Sequence, residues 1–217
     1  MTSRGSFLKN LLLLLGVLLA INAHAQKNEE KEVYECFKRY KSLILQSKGE
    51  EAFELIDSNT YRYFDNTLKA SIYADKKEVE ALPLIDRLSV LLVRHRIPAD
   101  ELLTMTGREY FIQSVKQGMF GKNSLAAIEL GKTEVNGDSA RAQIIRDLED
   151  TDMWFRFFKE NGDWKLDLTS IFAPTTLHLM TGLAKQGMSE NEFIFAILES
   201  TGKPVTEEIW FPLKSNK

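Results

Sequence analysis

Cysteine is almost absent from this 217-residue chain: Cys36 stands alone. No intramolecular disulfide can form, so the stability of the protein has to come from a packed core. Histidine is nearly as scarce, and beyond residue 25 the chain carries only His95 and His178. Two histidines and one cysteine cannot complete a zinc site of the usual ligands without carboxylates, so neither a metal nor a cofactor is expected. A Cys-His nucleophile pair would need Cys36, which lies between core positions and reads as a small buried hydrophobe. A basic excess is missing too, because 28 Lys and Arg face 31 Asp and Glu. Nucleic acid, whose phosphates demand a positive surface, is therefore not an expected partner.

The chain also lacks an apolar run of the roughly 20 residues needed to cross a bilayer. Its longest extends from Leu11 to Ile21 and is broken by Gly16. Arg4 and Lys9 precede that run and Ala23-His24-Ala25 follows it, the order of a charged n-region, an apolar h-region and a small-x-small cleavage site. Residues 1–25 are accordingly predicted to be a cleaved signal peptide. The remaining chain, 26–217, is expected to be exported, periplasmic or secreted, with no stable membrane insertion. Cleavage removes Arg4 and Lys9 and no acid, which leaves 26 basic residues against 31 acidic and a net charge of −5. No repeat, low-complexity stretch or Pro-rich linker interrupts 26–217, so one domain is expected.

What is present is a change of period. Val33, Phe37, Tyr40 and Ile44 repeat at helical spacing, Ala52, Phe53 and Ile56 mark a short second helix, and Thr60 is placed to cap a third with the stripe Tyr61, Phe64, Leu68 and Ile72. From Val79 to Val93 the chain is apolar almost all round and predicts a central helix with Pro83 in its first turn. Arg94-His95-Arg96 closes it, and Pro98 opens a short helix. Thr106 and Glu109 have capping-box spacing before Tyr110, Phe111 and Val115, and Gly118 ends that helix.

After Lys122 the period becomes two. Ala126, Ile128 and Leu130, then Ala140, Ala142 and Ile144, then Met153, Phe155 and Phe157, then Trp164, Leu166 and Leu168 give four strands, separated by Asn136-Gly137, the acidic stretch 149–152 and Asn161-Gly162. A two-residue Asn161-Gly162 loop pairs Phe157 with Leu166 and Phe155 with Leu168. A two-residue Asn136-Gly137 loop would set Leu130 against Gln143, so a three-residue loop or a bulge is predicted, with Leu130 opposite Ile144. Ser189 then caps a helix carrying Phe193, Ile194, Ile197 and Leu198, which Gly202 ends. The fold class is α+β: N-terminal helices over 26–121, packed on a curved antiparallel meander of about four strands over 122–168, with a C-terminal helical tail over 169–217. Parity leaves Ile145, Trp154, Arg156, Phe158, Lys165 and Asp167 on the outer face of the sheet, and the tail is expected to cover them.

Helices followed by a meander that ends in Phe157-Phe158-Lys159-Glu160-Asn161-Gly162-Asp163-Trp164-Lys165-Leu166-Asp167-Leu168 resemble the nuclear transport factor two-like superfamily of cystatin-like cone folds. The opening is similar as well, with 34–40 as first helix and 49–56 as second, and the likeness covers roughly residues 30–170. The resemblance implies helices on the concave face of a curved sheet around a pocket. It does not choose a function, because that superfamily holds isomerases, cyclases, dehydratases and binding domains. Its lengthened helical block from Lys76 to Gly118 and its tail after Ser170 depart from the simplest pattern.

No residue is assigned a catalytic role. Asp147 and Asp167 have the wrong parity to point inward, and Glu109 is a capping partner. Tyr40, Tyr61, Tyr63 and Tyr110 carry hydroxyls that could meet a ligand, although aromatic residues at helical spacing are usually core. If the cone is open, its ligand-binding residues are Tyr40, Phe64, Tyr110, Phe155 and Phe157. Three functions stay open: a noncatalytic exported domain, monomer or homodimer, that binds a small apolar ligand or a protein partner; a metal-independent isomerase or lyase using one pocket carboxylate; and a periplasmic lipid carrier. An acid buried in a pocket beside a tyrosine favours the enzyme, and a filled cone removes the pocket within it.

Overall fold

The computed structural model describes residues 26–119, 122–200 and 202–214; the expected signal peptide lies outside them. Residues 26–45 (α1) are helical and bury Val33, Phe37, Tyr40 and Ile44, the stripe expected from their spacing. Helix α2 (Gly49–Phe53) leads into α3 (Ser58–Tyr73). The cap of α3 is Asp57 rather than Thr60: its carboxylate accepts from the Thr60 amide at 2.8 Å. Thr60 instead lies buried, where its hydroxyl accepts from the Leu168 amide at 2.9 Å and ties α3 to the end of the sheet. Phe64, Leu68 and Ile72 are buried as expected, but Tyr61 is 42% exposed because it lies at the margin of the stripe.

The apolar stretch from Val79 to Val93 divides at Pro83. Helix α4 (Lys76–Glu80) holds Val79, and Pro83 is the N-cap of α5 (Leu84–Arg96), just outside the helix and not in its first turn. Helix α5 joins two cores, with Val93 in one and Leu84, Val90 and Leu91 in the other. Helices α6 (Ala99–Leu102) and α7 (Gly107–Lys116) follow, and the Thr106–Glu109 capping box is formed. Gly107 permits the close crossing of α7 on α3, since a Cβ there would lie 2.8 Å from the Asp65 Cα.

Ala126 closes the short α8 (Lys122–Ala126) instead of opening a strand. The sheet runs β1 (Ile128–Asn136), β2 (Ser139–Arg146), β3 (Glu149–Glu160), β4 (Asp163–Asp167), all antiparallel and in sequence order. Leu130 faces Ile144 through a bulge between Leu130 and Thr133, and the two-residue loop is Gly137-Asp138. The acidic stretch 149–152 belongs to β3; the turn before it is Asp147-Leu148, both at positive φ. Phe157 pairs with Leu166 around Asn161-Gly162, whose φ values of 54° and 90° are those of a type I′ turn. Strand β4 stops at Asp167, which caps the 3₁₀ turn Leu168–Ile171 by accepting from the Thr169 amide, so Phe155 and Leu168 do not pair.

The tail is helical: α9 (Phe172–Gln186), α10 (Glu190–Glu199) with its Ser189–Glu192 capping box, and a 3₁₀ turn Glu207–Trp210. It does not cover the outer face of the sheet. Leu183, Ile194, Leu198, Ile209 and Trp210 pack instead on α4 and α5 in a second core. Arg94 fixes this choice, donating to the carbonyls of Ala70, Ser71 and Ala74 at the end of α3 and to that of Ile209 in the tail, at 2.6–3.2 Å. Burial lowers its pKa to about 10, which still leaves it cationic at neutral pH. On the outer face Trp154 is covered by the Arg141 guanidinium, 4.5 Å above its ring and paired with Glu134.

Candidate functional site

The cone that the resemblance implies as a pocket is occupied by side chains. Tyr40, Phe64, Tyr110, Phe155 and Phe157 are each at most 3% exposed and belong to one core with Phe37, Phe111 and Leu166. Phe64 meets Tyr110 at 5.3 Å and Phe111 at 5.0 Å between ring centroids, and Phe37 meets Phe155 at 5.4 Å. Burial raises the hydroxyl pKa of Tyr40 and Tyr110. The structure brings these five residues together, but as the interior of the domain. Cys36 lies at its edge, donating its thiol hydrogen to the Trp164 carbonyl, with its pKa pushed up to about 11 by burial. Such a thiol is not a nucleophile at neutral pH.

The concave apolar surface lies on the other side of α3. A groove of about 550 Å³ runs between the start of α5 and α9, lined by Tyr63, Ile85, Asp86, Phe172, Leu177 and Met180 among others. Tyr63 enters it because it is one position before Phe64 and so about 100° round the helix from the core-facing stripe. Edge-to-face ring contacts form a chain from the core to the groove, with centroids 5.6 Å apart from Phe64 to Tyr63 and 4.8 Å from Tyr63 to Phe172. The opposite wall exists because the 3₁₀ turn capped by Asp167 swings the chain off the sheet into α9. Of the fifteen residues of α9 one is formally charged, Lys185, and only Leu183 is fully buried, while Leu177 is 67% and Met180 45% exposed. A helix this apolar and this thinly covered presents a surface for something else.

The polar atoms of the groove are few and ordered. The Tyr63 hydroxyl donates to Ser89 Oγ at 3.0 Å, and Ser89 Oγ donates to the Ile85 carbonyl at 2.8 Å. Burial pushes the Tyr63 pKa up to about 12. Asp86, in the first turn of α5, is held above the usual carboxylate range by burial, an effect that its contact with the Tyr63 hydroxyl opposes. Its neighbour Arg87 is turned away to Glu190, at 3.2 Å, and to Asn191. Among the described residues no cation pairs with Asp86.

The sequence points to Tyr63 as one of four candidate hydroxyls, but not to Asp86, Phe172, Leu177 or Met180. Their one legible signal is Leu177-His178-Leu179-Met180, an apolar run broken by a single imidazole in a segment with almost no charge. His178 is exposed, and His95 is buried with Nε2 3.1 Å from the Lys203 carbonyl. Among the described residues no three His, Cys, Asp or Glu side chains are grouped closely enough to hold a metal ion. No helix of the described residues is long and apolar enough to cross a membrane. Comparison with family models, with curated proteins and with solved structures found no match to this chain.

Proposed function

We propose that this protein is an exported, noncatalytic binding domain, similar in plan to the nuclear transport factor two-like superfamily, that takes a small apolar ligand in the groove between α5 and α9. The observation that carries this reading is the pairing of a filled cone with an open apolar groove of about 550 Å³, within the size range of small-molecule sites. Export rests on the sequence of residues 1–25.

A metal-independent isomerase or lyase is the second reading, because Asp86 is an acid with a raised pKa beside Tyr63. It stands behind the first for a geometric reason. An enolate-type intermediate needs a hydrogen-bond donor aimed at the developing oxyanion. The Tyr63 hydroxyl has one hydrogen, for which Ser89 Oγ and the Asp86 carboxylate already compete, and the Ser89 hydrogen goes to the Ile85 carbonyl.

Native mass spectrometry of the protein purified from its own compartment tests the binding reading. The expected result is an added mass of small-molecule size that is lost in Leu177→Glu, a change at an exposed position. Wild-type protein carrying no added mass, even after incubation with apolar compounds, overturns it.

A further inference from the structure

The groove has one acidic group at its base and no cation to match it, and that asymmetry selects among apolar ligands. From the juxtaposition of Asp86 with the Tyr63 ring, the Phe172 ring and the aliphatic wall of Leu177 and Met180, we infer that the groove takes an amphiphilic amine: an apolar body against α9 and a protonated nitrogen on the Asp86 carboxylate. This inference rests on the groove being the binding site and names the class of ligand it binds.

Three features of the groove support it. Burial has already stripped Asp86 of part of its hydration, so a hydrogen-bonded opposite charge gains more there than at a fully exposed acid. No helical neighbour supplies a cation, because the positions three and four residues on along α5 are Ser89 and Val90, and Arg87 points to Glu190 and Asn191 on α10. The rings of Tyr63 and Phe172, packed edge to face with centroids 4.8 Å apart, line the same groove and give the apolar body of the ligand an aromatic wall beside Asp86. An anionic amphiphile such as a free fatty acid would set two carboxylates together, and a neutral one would leave Asp86 unpaired.

The test is calorimetric titration of the mature protein with decylamine, decanol and decanoate, three probes with one chain and different heads, in salt high enough to screen the general pull of an acidic surface on cations. Decylamine is expected to bind about tenfold more tightly than decanol, the factor that ~1.4 kcal/mol supplies, and decanoate most weakly. Asp86→Asn is expected to bring the amine-to-alcohol ratio to about one by removing the charge that distinguishes the two heads. If decanol and decylamine bind alike to the wild-type protein, or if the preference survives Asp86→Asn, the inference is wrong while the groove remains the site. If none of the three binds, the groove reading itself fails and the inference falls with it. The wild-type ratio decides the matter even if the variant does not fold.

Discussion

The domain has two hydrophobic regions built from the same residue types, and they end differently. Under the sheet, aromatic side chains from α1, α3, α7, β3 and β4 close on one another until Phe64, Phe111, Phe155 and Phe157 are at most 1% exposed. Around α5 and α9 the cover comes from helices alone, α3, α4 and the tail, with no sheet behind them, and Leu177 and Met180 stay open. An apolar stripe becomes core or site according to how many elements can reach it. A curved sheet brings four strands to one face, whereas α9 meets chiefly the 3₁₀ turn before it, α10 and α5. What looks like a ligand pocket in the sequence is therefore packing, and the open surface lies where a lightly charged helix has too few neighbours.

The largest effect that would sharpen this contrast is Phe64→Ala. Deleting a fully buried ring from the filled region should cost about 3–5 kcal/mol and lower the thermal midpoint steeply. A loss below about 1 kcal/mol would mean that the cone has room to spare and is not filled as described. Arg94→Ala comes next, because it leaves buried carbonyls at the end of α3 without a donor and frees the tail from Ile209. A loss of about 3 kcal/mol is expected, with faster amide exchange in the tail than in the sheet. Equal acceleration in both regions would contradict the assignment of two separable cores.

A smaller effect separates charge from capping at Asp57. Burial raises its folded-state pKa, with the nearby Asp167 and Glu160 charges adding to the shift. A raised folded pKa means that the native state binds the proton more tightly than the unfolded state, so Asp57 adds stability as pH falls through that pKa toward the ordinary value of 3.8 and costs stability above it. Asp57→Asn keeps an N-cap of equal quality and removes the charge. It should melt no lower than wild type at neutral pH, and wild type should gain on the variant as the pH is lowered into that window. A variant that is clearly less stable at neutral pH would show that the ionised carboxylate stabilises the cap. The smallest stability effect belongs to the groove: Leu177→Ser should change stability by less than about 0.5 kcal/mol while weakening binding of an alkyl probe. A large stability loss would place Leu177 in a core.

Much of this architecture was legible because period and capping are local. The stripe of α1, the capping box at Thr106, the cap at Ser189 and the type I′ turn at Asn161-Gly162 each follow from a few neighbouring residues. The bulge that sets Leu130 opposite Ile144 followed from the mismatch of two hydrophobic patterns. The errors fall where a distant partner decides. Thr60 is taken from its capping role by the Leu168 amide, 108 residues away, and the tail is drawn to α5 by the Ile209 carbonyl, which accepts from Arg94 across 115 positions. Asp86 was not legible as a site residue because its setting is made by Tyr63 and Phe172, and no periodicity links three segments so far apart.

The measurement that bears most directly on the contrast of filled core and open groove is a chemical-shift titration of the isotopically labelled protein with an alkyl probe such as decanol. The perturbed signals are expected at Tyr63, Ile85, Asp86 and residues 172–180, with Phe64, Tyr110, Phe155 and Phe157 unmoved. Perturbations centred on those four, with the α9 signals unchanged, would contradict it and return the binding site to the cone.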